Sequence, residues 1–219
     1  MQAALGPQGW WPGRTRFEII VGAILTQNTS WRNAARAIRS LREARVLTPP
    51  GLAALPQTHL ARLIRSAGHY NIKADRLKRF LKFLRHRYAL SLRRMFAQQP
   101  SVLRRELLAV RGIGPETADA ILLYAGDIPS FVVDAYTRRI FGRHGLIPSD
   151  ATYDEVQRLL LRALSPDARQ FNEYHALLVA VGKDFCRPQP RCARCPLRPD
   201  LERHRPALAR RFVGRAPKK

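Results

Sequence analysis

An all-α fold is predicted for this chain of 219 residues. Three observations predict it: apolar residues recur every three to four positions almost throughout, no segment alternates apolar with polar, and the apolar runs are separated by Pro and Gly. Phe17, Ile20, Val21, Ile24 and Leu25 make one helical stripe, and Ile72, Leu77, Phe80, Leu81 and Leu84 make another. Further helices are expected over residues 31–42, 60–67, 102–110, 115–124, 135–141, 153–164 and 171–181. Breaks are expected at Pro49-Pro50-Gly51, Pro100, residues 126–129, Pro148 and Pro166. The tail from Leu197 is rich in Arg and Pro and has little apolar period, and no internal repeat is visible.

With 46% apolar residues the chain can build one sizeable core or two smaller lobes. Its 39 Lys and Arg against 16 Asp and Glu leave a net charge of +23, spread along the sequence rather than gathered in a tail. A solvated, arginine-rich surface would account for that. So would an acidic membrane or an acidic protein as partner, but the commonest reason for such a balance is the neutralisation of nucleic-acid phosphates. Only six of the cations are lysines, so amine nucleophiles are scarce. No run of about 18 apolar residues is present and the N-terminus has no signal-peptide pattern, so a cytoplasmic protein with no membrane contact is expected; with nucleic acid as its partner it is expected at the nucleoid, as a monomer. Cys186, Cys192 and Cys195 lie within ten residues, a clustering that in a reducing compartment points to metal before disulfide.

The most informative stretch is LLAVRGIGPETADAILLYAGDIPSFVVDAYTRRI, Leu107 to Ile140. A helix is followed by a short turn, Arg111-Gly112-Ile113-Gly114, then by a second helix opened by Pro115, then by a carboxylate, Asp134. Glycines permit backbone approach to a phosphate, and a helix N-terminus adds its positive dipole end at the same point. An ordinary helix-turn-helix corner would also need glycine. Asp134 sits where an N-cap is expected, and an ionised carboxylate there could also stabilise a developing cation or deprotonate a water.

These residues resemble the helix-hairpin-helix DNA glycosylases of the endonuclease III type, in which such a hairpin precedes a Gly/Pro-rich loop and a catalytic aspartate. Gly126-Asp127-Ile128-Pro129 and Val132-Val133-Asp134 match that order, and the resemblance runs from about Phe17 to Cys195. GAILTQNTSWRNA, Gly22 to Ala34, resembles the family's segment ending in a glutamine that enters the DNA. SAGHYNIKADRL, Ser66 to Leu77, resembles its wedge loop. The resemblance implies a two-lobed fold: a central bundle with the hairpin over residues 10–126, and a second lobe from residues 1–9 and 127–219 with the catalytic aspartate and a C-terminal cluster loop. It implies binding of damaged double-stranded DNA through Arg111, Gly112, Ile113 and Gly114. Gln27 would fill the gap left by a flipped base and His69 would probe the opposite strand.

Where bifunctional members carry a Schiff-base lysine, this chain has Glu116, and a carboxylate cannot form an imine. A monofunctional glycosylase is therefore expected, with Asp134 and Glu116 at the catalytic site. A bifunctional enzyme acting on oxidised pyrimidines through another amine, and a non-catalytic binder of damaged DNA, are the rival functions. Trp10, Trp11, Trp31 and Tyr136 resemble the pocket of the bacterial 3-methyladenine glycosylase branch, which implies an alkylated purine held by cation–π stacking; the same tryptophans could instead staple the N-terminus to the core. The three cysteines fall where relatives hold a [4Fe–4S] cluster on four. Leu201 stands at the usual fourth position, leaving Asp200 as the expected fourth ligand and His204 as the nearest nitrogen donor; a decayed or zinc-binding site is the alternative.

Overall fold

The computed structural model describes residues 1–201, and no strand occurs among them. In chain order the helices are α1 (Gln2–Leu5), α2 (Arg16–Leu25), α3 (Trp31–Glu43), α4 (Pro49–Ala54), α5 (Gln57–Leu63), α6 (Tyr70–Tyr88), α7 (Leu92–Phe96), α8 (Pro100–Leu108), α9 (Pro115–Ala120), α10 (Ala135–Arg143), α11 (Tyr153–Ala163) and α12 (Ala168–Asp184). Helix α9 runs on as a π turn, Ile121–Ala125, and 3₁₀ turns occur at Arg65–Ala67 and Cys192–Arg194. The chain forms two compact units. One is Trp11–Ser130, and the other joins Met1–Trp10 to the chain from Phe131 on.

In the Trp11–Ser130 unit, hydroxyl caps set the helix starts. Thr15, Ser30, Thr48 and Ser91 each accept a backbone N–H from three residues on, satisfying a donor that the helix cannot, at about 1 kcal/mol apiece. The expected break at Pro49-Pro50-Gly51 is instead the start of α4, and Pro100 is the first residue of α8. Proline's fixed φ suits the first helical turn, where its missing N–H costs nothing. The expected helix over 60–67 ends early: α5 stops at Leu63, and the chain tightens into the 3₁₀ turn before Gly68, whose φ of 67° is left-handed.

The core of this unit is the α2 stripe of Phe17, Ile20, Val21, Ile24 and Leu25 against Ala37, Ile38 and Leu41 of α3 and Leu77, Phe80, Leu81 and Leu84 of α6. Each large side chain so buried contributes about 1.5–3 kcal/mol. Ile72 was expected in the α6 stripe but is 53% exposed, and the residue that begins the buried face is Lys73, 1% exposed. Helices α8 and α9 are joined by an ion pair buried on its Asp119 side: Arg104 donates from Nε and Nη2 to the two Asp119 oxygens at 2.8 and 3.0 Å. Ser130 Oγ adds a third donor to Asp119, at 2.6 Å.

In the other unit Phe131 packs edge-on against Phe171 of α12, with ring centroids 5.3 Å apart, and Gln157 of α11 donates to the Phe131 carbonyl at 2.7 Å. Thr152 and Glu155 form a reciprocal capping box at the start of α11. Helix α10 lies directly on α12 at Gly182, where a Cβ would stand 2.3 Å from Cδ1 of Tyr136, so no larger residue fits.

Candidate active site and DNA interface

The turn between α8 and α9 needs its first glycine. Gly112 has φ 98°, and a Cβ there would lie 2.6 Å from Cγ of Arg76. Arg111 and Gly114 are exposed, and Pro115 opens α9. Ile113 is different: its side chain is buried at 4% exposure and its N–H is given to the Val110 carbonyl at 2.9 Å. It supports the turn from beneath. Glu116 is exposed in the first turn of α9, where a negative charge complements the helix dipole.

Gln27, just past the end of α2, is tied to this hairpin. Its Nε2 donates to the Gly112 carbonyl at 3.0 Å and to Thr117 Oγ1 at 2.8 Å, while its Oε1 accepts from Arg76 Nη1. His69 is exposed and left-handed, with φ 44°, and caps α6 without a side-chain bond. One turn into α6, Lys73 Nζ donates to the carbonyls of Leu25 at 2.9 Å and Ala67 at 2.7 Å. Burial, then the neighbouring Arg76, pulls its ammonium below the ordinary lysine value. Asn71, Ile72, Arg76, Arg79 and Arg111 line an open groove of about 600 Å³ with Gly112 at its edge.

The predicted pocket aromatics fall into two groups. Trp11 meets Trp31 edge-on, with centroids 5.2 Å apart, and leans on Tyr124 at 5.0 Å, above Gly22. Trp11 thus packs edge-on to one ring and tilted against the other. Tyr136 packs on Gly182 under the Arg139 guanidinium, 5.1 Å from its ring, and Lys183 Nζ lies 5.5 Å from the Trp10 ring.

Asp134 caps α10. Its Oδ1 accepts the Thr137 N–H at 2.7 Å and the Thr137 hydroxyl at 2.9 Å. Its Oδ2 faces His175 Nε2 of α12 at 3.6 Å. Burial alone would raise this carboxyl, but His175, by hydrogen bonding and charge, and Thr137 outweigh it and hold Asp134 below the ordinary carboxylate value. The sequence reading missed His175, Lys73 and Arg76. The signal for His175 was there: it stands one turn after Phe171 and one before Leu178 on an apolar helix face, where a histidine needs a polar reason.

Cys186, Cys192 and Cys195 all line one cavity of about 230 Å³, walled by Ile140, Val181 and Phe185. Leu201 also lines it, whereas Asp200 is half-buried and does not; His204 lies outside the described residues. Two arginines of α10 hold the loop. Arg139 donates to the carbonyls of Cys186 and Gly182, at 2.6 and 3.0 Å, and Arg143 to the Cys186 sulfur at 3.3 Å and the Arg187 carbonyl at 2.6 Å. Burial pushes the Cys195 thiol up. Among the described residues no three His, Cys, Asp or Glu side chains stand close enough to chelate a single ion. Thiolates are the donors that iron–sulfur clusters take, so three cysteines lining one cavity are chemically compatible with such a group. A guanidinium on sulfur fits thiolate charge as well.

The family is now identifiable. Residues 21–166 match the model described as HhH-GPD superfamily base excision DNA repair protein. A Methanocaldococcus jannaschii protein, "Putative DNA repair glycosylase MJ1434", is 46% identical over 194 residues, 88% of each chain. Endonuclease III of Thermotoga maritima is 29% identical over 190 residues, 86% of this chain and 84% of its own. Among solved structures, H. pylori 3-methyladenine DNA glycosylase bound to 1,N6-ethenoadenine superposes with a TM-score of 0.71 at 28% identity, covering 81% of this chain and 89% of its own. A trapped endonuclease III–DNA covalent intermediate gives 0.72 at 25% identity, covering 84% and 82%. The chain belongs to the HhH-GPD superfamily and is a base excision repair DNA glycosylase. No described helix is long and apolar enough to cross a membrane.

Proposed function

We propose that this glycosylase is monofunctional and hydrolyses the N-glycosidic bond of a flipped alkylated purine in double-stranded DNA, acting as a monomer. The observation that carries the reading is the state of Asp134: Thr137 occupies one oxygen, His175 faces the other, and the carboxyl is held ionised. An anion so placed stabilises positive charge developing on the sugar and takes a proton from the attacking water. The water oxygen bonds to C1′, the C1′–N bond breaks, and its electron pair leaves with the base. A cationic alkylated purine departs neutral, so it needs no proton from a general acid. The H. pylori relative's name and ligand support a modified purine, and electron-rich indoles such as Trp11 and Trp31 would favour an alkylated, cationic base over its neutral parent.

Hydrolysis without an imine is supported by Glu116 and by the engagement of three of the chain's six lysines. Glu116 replaces the lysine of bifunctional relatives. Lys73 gives its hydrogens to two carbonyls, Lys78 to the carbonyls of Leu52, Ala53 and Leu55, and Lys183 lies against Trp10. DNA binding is assigned to Arg111, Gly112 and Gly114 at the backbone, with Gln27 filling the gap and His69 probing the opposite strand. Cys186, Cys192 and Cys195 would hold a [4Fe–4S] cluster, with Asp200, next to Leu201 of the cavity wall but not itself in that wall, as the expected donor to the fourth iron, and the cluster would stiffen the basic loop around Arg187, Arg191 and Arg194.

Base release from alkylated, oxidised and mismatched duplexes, run beside borohydride trapping on abasic DNA, tests the proposal. Release of alkylated purine without a trapped adduct is expected. A covalent adduct overturns the monofunctional reading, and preferential release of oxidised pyrimidine overturns the substrate.

A further inference from the structure

We propose that Lys73 is a positioning residue that fixes the segments carrying Gln27 and His69 at one spacing, so that both probes meet the duplex together. The inference rests on the roles just assigned to Gln27 and His69. Lys73 is 1% exposed and takes two carbonyls, those of Leu25 at 2.9 Å and Ala67 at 2.7 Å. Each belongs to the residue two positions before a probe. Leu25 ends α2, where carbonyls lack helical partners, and Ala67 ends a 3₁₀ turn.

Two features argue for a device rather than incidental burial. An ammonium withdrawn from water is costly unless dipoles replace its hydration, so a lysine used only to fill space would be a poor choice against methionine. Both anchored segments also run into left-handed backbone without glycine's freedom: Asn28 at φ 53° after Gln27, and His69 itself at φ 44°. Such conformations relax unless the chain on either side is held. Arg76, on the same helix one turn further, holds the Gln27 side chain while Lys73 holds its backbone approach.

The test compares affinity for a duplex carrying a tetrahydrofuran abasic analogue with affinity for the intact duplex, using the full chain. In Lys73→Met the abasic preference is expected to fall roughly tenfold, about 1.4 kcal/mol. Intact-duplex affinity should stay at wild type, because the hairpin and its cations are untouched. In a Gln27→Ala/His69→Ala background the same substitution should add nothing further, as residues acting as a unit are not additive. Lys73→Gln, which keeps an amide donor, provides the comparison if the methionine variant does not fold, and should lose less.

A Lys73 effect that persists undiminished in the double-alanine background, or that weakens both duplexes equally, overturns the proposal in favour of a purely structural lysine. If Gln27→Ala/His69→Ala itself leaves the abasic preference intact, the assigned probe roles fail. The two failures are therefore distinguishable.

Discussion

Asp134→Asn separates the two tasks of one side chain. The amide oxygen can still accept from Thr137, whose N–H stands 2.7 Å from Oδ1, and Asn caps helices as well as Asp does. Stability should therefore change by less than about 1 kcal/mol at neutral pH. The negative charge facing His175 is lost and, in the proposed mechanism, so are the stabilisation of the sugar cation and the acceptor for a water proton. General-base loss of this kind costs a factor of about 10²–10⁴, or roughly 3–5 kcal/mol of barrier. Asp134→Ala should lose the same rate and, in addition, about 1 kcal/mol of stability as the cap disappears.

Single-turnover base release at saturating enzyme, with thermal unfolding on the same samples, reads both quantities. An asparagine variant within tenfold of wild type, or one as destabilised as the alanine variant, refutes the division. The pH dependence has a fixed sign. Because the folded carboxyl lies below its ordinary value of 3.8, its contribution to stability is complete above that value and is lost as pH falls through the lower folded value. The wild type should therefore lose its advantage over Asp134→Asn only in strong acid.

Three further outcomes are expected. Arg104→Met takes the guanidinium from the Asp119 carboxylate, which has no exposed surface and keeps the Ser130 hydroxyl, and should cost about 3 kcal/mol by denaturant unfolding; a loss below 1 kcal/mol would mean Asp119 is satisfied without Arg104. Gly112→Ala meets both a left-handed φ and the Arg76 stem, so a loss of about 1–3 kcal/mol should accompany weaker duplex binding in a gel-shift titration. Anaerobically purified protein should contain iron and absorb visible light; Cys195→Ser should lose most of the iron, and Asp200→Ala should lose part of it. An Asp200→Ala protein with full iron content would remove that residue from the ligand set.

The helices were readable because apolar period and cap residues agree along most of the chain. The α2 stripe is buried as expected, and Asp134 caps α10. The family's order of hairpin, loop and aspartate was visible as well. What failed has physical causes. Reading only apolar residues placed Ile72 in the core and left out Lys73, since nothing local says that two carbonyls wait for an ammonium. Prolines taken as breaks at 49 and 100 turned out to start helices, because a proline's effect depends on which turn it occupies. Ile113 of the hairpin gives its N–H to Val110 and buries its side chain, a commitment set by the closed turn and not by the local sequence. His175 could not be matched to Asp134, because their proximity depends on α10 packing on α12 rather than on spacing in sequence.

The docked state of Gln27 has a consequence for how the enzyme searches. Three hydrogen bonds, to Gly112, Thr117 and Arg76, satisfy its amide in the free protein. If Gln27 fills the gap as proposed, this position is the cheaper one on undamaged DNA, where no gap offers replacements, and the protein would slide along the phosphates without interrogating every pair. On the same proposal, the amide would exchange partners at an open gap at little net cost, which would release Arg76 beside the hairpin. On the proposed reading, the strength of that resting network sets the ratio of transit speed to stopping probability: variants that loosen it, such as Arg76→Ala, should halt more often at intact pairs and scan shorter stretches per encounter.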